Sequence, residues 1–482
     1  MRLVVGIDLG TQSLKAVVCD AELRVLGDHA VAVATRHPHP GWAEQDPASW
    51  CAALEPAIGR ALERAGASGG DVDVIGLAGQ LDGCVAVDAS CAPLHPALIW
   101  QDKRAARETQ ALPRLFELTG QIADPSHMAP KIAWLRERGI RAARWHQPTS
   151  FLVAHLTGEH VLDPSHASTT MLFELAAGAW SRELCDAFAI DPIAELPRIA
   201  PATAIAGALR APIAGIAAGT PVAVGTGDDF ATPLGAGVIA PGVGICAIGT
   251  AEVVGALSSS LVLDHRGMVE THAYPGGAYF VENPGWLSGG AVRWATRLLG
   301  LRDDAELDAL AAAAPPGAGG VTFMPALAGA MTPTWQPHAR GALYGLAAAH
   351  DRAHVARAVL EGLAFAERDV VERLAALGLN VDRVLVLGGG GKSATWTQIR
   401  ADALGRPHDV AARSDTCPIG AAMIAAVAVG IRPDLATAAA TAPPPSLTMM
   451  PAASLDDAYE RYRTLQAQLA SLGERPWATF GS

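Results

Sequence analysis

Two apolar stretches double back across a Gly-Thr turn near the start of the chain, and the same pattern returns in its second half. The first runs through Leu3–Ile7, then Asp8-Leu9-Gly10-Thr11-Gln12-Ser13, then Leu14–Cys19. Apolar β-prone runs flanking a short polar turn predict a hairpin, with Gly10 supplying the backbone freedom for the bend. The second reads Gly244-Ile245-Cys246-Ala247-Ile248-Gly249-Thr250-Ala251-Glu252-Val253-Val254. Two halves that each open on such a hairpin predict a duplicated α/β domain with a cleft between the copies. At 482 residues the chain is also too long for one hydrophobic core, so at least two domains are required.

The first turn offers backbone N–H groups, the hydroxyls of Thr11 and Ser13 and the amine of Lys15, all suited to phosphate oxygens. Asp8, at the end of a buried strand, is the kind of hard oxygen ligand Mg²⁺ prefers. The same residues also fit an ordinary hairpin with a polar turn.

Composition narrows the function. Half the residues are hydrophobic and 17% are charged, as in a compact soluble protein. A net charge of −12 argues against nucleic acid, since no basic stripe is available to neutralise phosphates. No apolar run long enough to span a membrane lacks Gly, Pro or charge, and the start runs directly into the first strand without a signal peptide. The seven cysteines are scattered without paired metal spacing, which suits reduced thiols and a cytoplasmic location.

Along the chain, Leu23–Leu26 is expected to add a third strand. Asp46 and Pro47 form a helix start, and Trp50, Leu54, Ile58 and Leu62 recur at helical spacing behind it. Strands are expected at Val72–Leu77, Val85–Val87 and Ala97–Trp100, and helices with Pro-rich turns over roughly 105–215. Strand ends that open into polar loops, such as Ala78–Gly83 and Gln101–Arg104, are where α/β sheets place ligands. The second half carries a long helix over Ala353–Leu377, a strand at Arg383–Leu387 and a closing helix at Asp456–Leu472.

Gly388-Gly389-Gly390-Gly391-Lys392-Ser393 is not a P-loop, because Val386 stands where that motif needs its first glycine. What remains is a strand, four glycines and a helix start. Bare backbone admits close approach of a ligand and the helix N-terminus favours negative charge, while the competing reading is a tight strand-to-helix turn. Asp228-Asp229 follows a strand and precedes a helix, so Asp228 fits either a base for a bound hydroxyl or a helix cap. Asp82 fits either a turn residue or a hydroxyl acceptor. Trp100 fits core or ligand platform, and His37 and His39 lack metal-ligand spacing.

Together these stretches resemble the FGGY family of carbohydrate kinases, and within it the xylulose kinases, over nearly the whole chain. Gly6-Ile7-Asp8-Leu9-Gly10-Thr11 matches the family's first phosphate loop. Gly41-Trp42-Ala43-Glu44-Gln45-Asp46-Pro47 with Trp50, Gly79-Gln80-x-x-Gly83 and Trp100-x-Asp102-x-Arg104 match segments of its pentulose members. Lys131-Ile132-Ala133-Trp134-Leu135 fits one signature, although Met128 stands where Pro, Ser or Thr is usual. Gly341-x-Leu343-x-Gly345-Leu346 through His354 and Ala358 to Glu361 fits the second.

The resemblance implies two duplicated actin-like (ribonuclease H-like) ATPase domains, at 1–241 and 242–482, with ATP and sugar meeting in an interdomain cleft. It implies ATP and Mg²⁺ as cofactors and phosphoryl transfer to a primary hydroxyl of a ketopentose, D-xylulose first. Carried over by position, Asp228 is the catalytic base, and Asp8 with Asp228 organises Mg²⁺. Gly10, Thr11, Gln12, Ser13 and Lys15 fall in the first phosphate loop and Gly249 and Thr250 in the second. Gly389, Gly390, Lys392 and Ser393 lie where the family holds adenosine; Leu81, Asp82, Trp100, Asp228 and Asp229 line the sugar pocket. The expected partners are the sugar and ATP, without nucleic acid or membrane, and a homodimer stays open. Two departures bear on the sugar. Xylulose kinases usually carry His at the position of Asp82 and Asn or Gln at that of Asp229, whereas ionised carboxylates accept hydrogen bonds and cannot donate them.

Overall fold

A computed structural model describes residues 2–110 and 112–473. The chain divides into two compact units. The first takes the residues up to Ile239 together with Thr271–Tyr279 and Asp415–Pro443; the second takes Ala240–Glu270, Phe280–Ser414 and the residues from Pro444 on.

The predicted opening hairpin is the centre of the first unit's sheet. Strand Leu3–Leu9 pairs antiparallel with Ser13–Cys19 and parallel with Val72–Gly79. The strand order runs Ile205–Ala208, Pro221–Ala223, Val72–Gly79, Leu3–Leu9, Ser13–Cys19, Val25–Ala32. The third strand begins at Val25, later than the sequence suggested. Asp20 accepts the backbone N–H groups of Glu22 and Arg24, which puts Leu23 in a left-handed turn (φ 63°) instead of a strand.

Helix Pro47–Ala65 covers one face of this sheet, capped by Asp46, which accepts from the Ala48 N–H. Trp50, Leu54, Ile58 and Leu62 are all buried along it, as their spacing requires. On the other face lies helix Cys417–Ala428. A Cβ on Gly6 would lie 1.9 Å from the Pro418 carbonyl oxygen, and one on Gly76 would lie 2.1 Å from that of Ala421. These two strand glycines exist because a helix backbone passes directly over them. Residues 415–443, which carry this helix, group with the first unit.

The second unit repeats the arrangement. Gly242–Ile248 pairs antiparallel with Ala251–Ser258 and parallel with a later strand, Val381–Gly388. Helix Arg352–Ala376, capped by Asp351, packs into its core with Val359, Leu363, Val370 and Leu374. The closing helix spans Asp456–Gly473, with Tyr459 and Tyr462 against Phe365. Beneath the second hairpin, Arg400 donates to both oxygens of Glu252 (2.7 and 2.6 Å) and to Glu367, which also meets His408 at 3.1 Å. Cys246, Glu252 and Glu367 lie close enough to suggest a metal site, but the Arg400 guanidinium already occupies both carboxylates as their ion-pair partner. Among the described residues, no helix is long and apolar enough to cross a membrane.

Candidate active site

Strand register brings three acidic positions to one edge of the first unit's sheet. Asp8 sits beside Lys15 on one neighbour and beside Ala78 on the other. Ala78 is flanked on its far side by Thr226, two residues before Asp228. Strand Val72–Gly79 ends there and delivers Gln80, Leu81 and Asp82. All of these lie at the C-terminal ends of parallel strands.

Asp228 begins helix Asp228–Gly235, with Gly227 as its N-cap, and its Oδ1 accepts the Asp229 N–H at 3.1 Å. Burial raises its proton affinity well above the ordinary carboxylate range, reinforced by the charges of Asp229 and Asp8. Burial also raises Asp229 to about 6, with Asp82 adding to it. Asp8 is likewise pushed to about 6 by burial, against the lowering influence of the Cys417 thiol and of Lys15. Oδ1 of Asp8 is buried without a hydrogen-bond partner. An orphaned carboxylate oxygen beside a second buried carboxylate is a donor set that fits a hard divalent cation.

The first turn is built from a distance. Gly10 N–H closes it on the Ser13 carbonyl (3.0 Å). Gln45 donates to the Thr11 carbonyl (2.6 Å), and its own carbonyl receives Trp50 Nε1 (3.0 Å) and Gln80 Nε2 (2.9 Å). Trp100, 40% exposed, donates Nε1 to Thr11 Oγ1 at 2.8 Å, tying the expected sugar platform to the expected phosphate loop. Arg104 pairs with Glu44 and Asp102 and stacks 3.7 Å from the Trp42 ring, locking the loop that carries Gln45. Lys15 is engaged by Asp415 and lies 3.7 Å from Asp28, so both its near neighbours are carboxylates.

Asp82 adopts φ 57°, and its carboxylate meets His127 Nδ1 at 3.1 Å. Burial works to raise its pKa, but His127, Lys131 and His272 together hold it below the usual range. Lys131 is fully buried and donates to the carbonyls of Asp82 (2.6 Å), Ile99 (2.8 Å) and Ser126. Behind Asp228, Thr226 donates to Asp163 Oδ2 at 2.9 Å. Gln45, His127, Lys131 and Asp163 act on this site through partners far away in sequence. Periodicity cannot reveal them; the matched segments around Gln45 and Lys131 and the polar run from Asp163 to Thr170 were the signals available.

In the second unit, the two glycine-rich turns lie side by side, since Ile248 pairs with Gly388. Gly249 N–H bonds to the Ala251 carbonyl (2.8 Å), and the Thr250 carbonyl receives the N–H groups of Ser288 and Gly290 (3.1 and 3.0 Å). Arg293, on helix Gly289–Leu298, donates to Thr250 Oγ1 at 3.0 Å; the sequence reading had not singled it out. Of the four glycines, Gly388 has φ 79°, a Cβ on Gly390 would strike Ile248 at 2.5 Å, and one on Gly391 would strike Val410 at 2.8 Å. Only Gly389 faces open space. Packing therefore explains three of them. Lys392 is exposed at the end of the turn, and Ser393 caps helix Ala394–Leu404 by accepting the Trp396 N–H at 3.0 Å.

Residues 3–235 match the N-terminal domain of the FGGY family of carbohydrate kinases, and residues 244–429 match its C-terminal domain. Over 440 residues the chain is 31% identical to a xylulose kinase of Escherichia coli strain K12, covering 88% of this chain and 90% of that protein. Over 482 aligned residues it is 35% identical to a glycerol kinase of Alkalilimnicola ehrlichii, covering 93% and 95%. The crystal structure of a xyloylose kinase from Brucella ovis superposes with a TM-score of 0.91 at 31% identity, covering 98% of this chain and all of that one.

Proposed function

The chain belongs to the FGGY family of carbohydrate kinases, with its two-domain actin-like α/β fold, and from that footing we propose that it transfers the γ-phosphate of ATP to a primary hydroxyl of D-xylulose. The observation that carries the reading is Asp228, a buried carboxylate at a strand-to-helix junction whose proton affinity burial and two neighbouring carboxylates raise. A carboxylate so placed is a stronger base than one in water. It takes the hydroxyl proton as the oxygen attacks the γ-phosphorus, a new P–O bond forms, the bond to the β-phosphate oxygen breaks and ADP leaves.

Asp8, with its unpartnered Oδ1, and Asp228 would hold Mg²⁺. Bound there, the ion would supply charge neutralisation for the phosphates. The hydroxyls of Thr11, Ser13 and Thr250, with the backbone N–H groups that follow Gly10 and Gly249, would bind phosphate oxygens, and Gly389 leaves open backbone for the nucleoside. Trp100, Leu81, Asp82 and Asp229 would line the acceptor pocket.

A second reading, phosphorylation of a polyol, is favoured by the carboxylates at Asp82 and Asp229 and by the equal similarity to glycerol kinases. ADP release measured over a panel of ketoses and polyols separates the two. Asp228→Asn should keep acceptor binding and lose roughly 10²–10⁴ in turnover, the usual scale for a general base. Near-normal turnover in that variant overturns the assignment.

A further inference from the structure

The acceptor side of the first unit holds a built polar assembly that phosphoryl transfer itself does not require. Asp82 stands in a left-handed backbone conformation, its side chain 18% exposed, and faces His127 Nδ1 at 3.1 Å. His127 Nδ1 also lies 2.9 Å from the Thr169 carbonyl and 3.3 Å from Gln121 Nε2. The two closer neighbours are acceptors, which assigns the proton to Nδ1 and leaves the Gln121 amide, at 3.3 Å, as a packing neighbour and not a donor to the ring.

Lys131 fixes the geometry from below. Its ammonium has three hydrogens, and three main-chain carbonyls take them: Asp82, Ile99 and Ser126. Two of these belong to the segments that carry Asp82 and His127, so one buried cation holds both halves of the pair in register. The turn before His127 is held in turn by Asp124, which accepts from the Ser126 N–H (2.8 Å) and pairs with Lys103.

Three of the donors on this side are committed to the protein itself. Lys131 is saturated, Trp100 Nε1 bonds Thr11 Oγ1, and Gln80 Nε2 bonds Gln45. The carboxylates Asp82, Asp228 and Asp229 remain as acceptors, and strand register sets Thr226 and Gly227 beside Ala78 and Gly79, so the segments that carry them leave the sheet side by side. An acceptor-rich, negative pocket suits a neutral molecule bearing hydroxyl hydrogens. It disfavours a carboxylate, which brings a like charge beside Asp82 and Asp229, where the Lys131 ammonium is already taken by three carbonyls.

We propose that the Asp82–His127 pair, braced by Lys131, is a charge filter. It admits uncharged polyhydroxy acceptors by accepting one of their hydroxyl hydrogens and bars aldonic acids of the same length. His127 and Lys131 are positioning residues: they act by holding the Asp82 carboxylate. The inference rests on the kinase reading above only in taking this pocket as the acceptor site.

Calorimetric titration of the full chain with D-xylulose, a pentitol and the corresponding pentonate tests it without needing turnover. The expected result is binding of one or both neutral ligands and at least tenfold weaker binding of the pentonate. Asp82→Asn, which keeps the shape and removes the charge, should narrow that ratio roughly tenfold or more, the scale of one hydrogen bond to a charged group. His127→Ala should raise the KM for the acceptor with kcat and the KM for ATP near wild type, and His127→Asn should recover part of the loss. An unchanged neutral-to-anion ratio in Asp82→Asn overturns the filter alone, whatever the turnover. Tight neutral binding with the expected ratios but no ADP release overturns the kinase reading and leaves the filter standing. Failure of all three ligands to bind overturns both.

Discussion

Gly6 lies under the carbonyl oxygen of Pro418, so close that a Cβ on it would fall 1.9 Å from that oxygen and 2.9 Å from the Ala422 nitrogen. Both obstructing atoms are backbone, so no side-chain rotation relieves the clash. Helix Cys417–Ala428 would have to lift off the central strand, two residues before Asp8 and directly at Cys417, which bonds Asp8. Gly6→Ala should therefore cost more than about 3 kcal/mol, beyond the usual range for overpacking a core, and sharply lower the yield of folded protein. Gly59→Ala is the matched control. It sits in helix Pro47–Ala65 with its nearest foreign atom 3.8 Å from the added Cβ, and should gain about 0.5–1 kcal/mol. Equal melting temperatures for the two variants would contradict this account of Gly6.

Gln45 tests whether the proposed phosphate loop is held from outside. Its amide serves Thr11, Thr35, Trp50 and Gln80 while fully buried. Gln45→Leu strands several buried polar groups at once, each costing about 1–3 kcal/mol. Because the Thr11 carbonyl loses its donor, the KM for ATP should rise by roughly tenfold or more, well beyond the change for the acceptor. Thr35→Val removes one partner and should give a smaller shift. Steady-state kinetics varying each substrate separately would reveal a uniform effect, which would make Gln45 a general stability residue only.

The hairpins were legible because everything that defines them is local: two apolar runs, a glycine, and a polar turn. Asp46 and the spacing from Trp50 to Leu62 gave helix Pro47–Ala65 for the same reason. Helix Cys417–Ala428 gave no such signal. It is buried almost throughout, so its residues carry no amphipathic period, and its place in the first unit depends on Gly6 and Gly76, far earlier in the chain. The four-glycine turn was legible as unusual but not in its cause. Three of its members clear neighbouring backbone or side chains, which only the sheet register can show. Asp82 was visible as a candidate, whereas its pairing with His127 depends on Lys131 gathering carbonyls from three segments.

Acid lability should come from His146. It is fully buried, its Nε2 meets His160 Nδ1 and its Nδ1 meets Ser150 Oγ, both at 2.9 Å. Burial pushes its pKa down to about 3, helped by His160 and Arg144. A folded pKa below the unfolded value near 6.5 means the unfolded chain binds the proton first. The stability is present above pH 6.5 and is lost as pH falls toward the folded value. Between pH 7.5 and pH 5 that loss is about 2 kcal/mol from this residue. His146→Gln keeps a neutral donor and acceptor. Whatever constant offset it introduces, its melting temperature relative to wild type should climb as the buffer is taken from pH 7.5 to pH 5. A constant difference across that range would mean His146 charges without penalty.

Arg293 carries the last test, because its placement separates a nucleotide contact from a structural one. Its guanidinium donates to Thr250 Oγ1 at 3.0 Å from the first full turn of helix Gly289–Leu298, whose glycines let the helix close on the second hairpin. A Cβ on Gly289 would fall 2.2 Å from the Gly249 carbonyl, so the helix and the turn are fitted to each other through backbone. The Thr250 carbonyl is already held by two N–H groups of that helix. The turn therefore does not need Arg293 to keep its shape. What the side chain adds is a planar positive charge beside the hydroxyl proposed to bind phosphate, the arrangement suited to an oxyanion. Arg293→Ala should leave the melting temperature within about a degree or two, as exposed substitutions usually do. It should raise the KM for ATP by about tenfold, and Arg293→Lys should restore part of that by keeping the charge without the fork. A large drop in melting temperature with unchanged KM would make Arg293 a brace for the hairpin; unchanged values of both would remove it from the site.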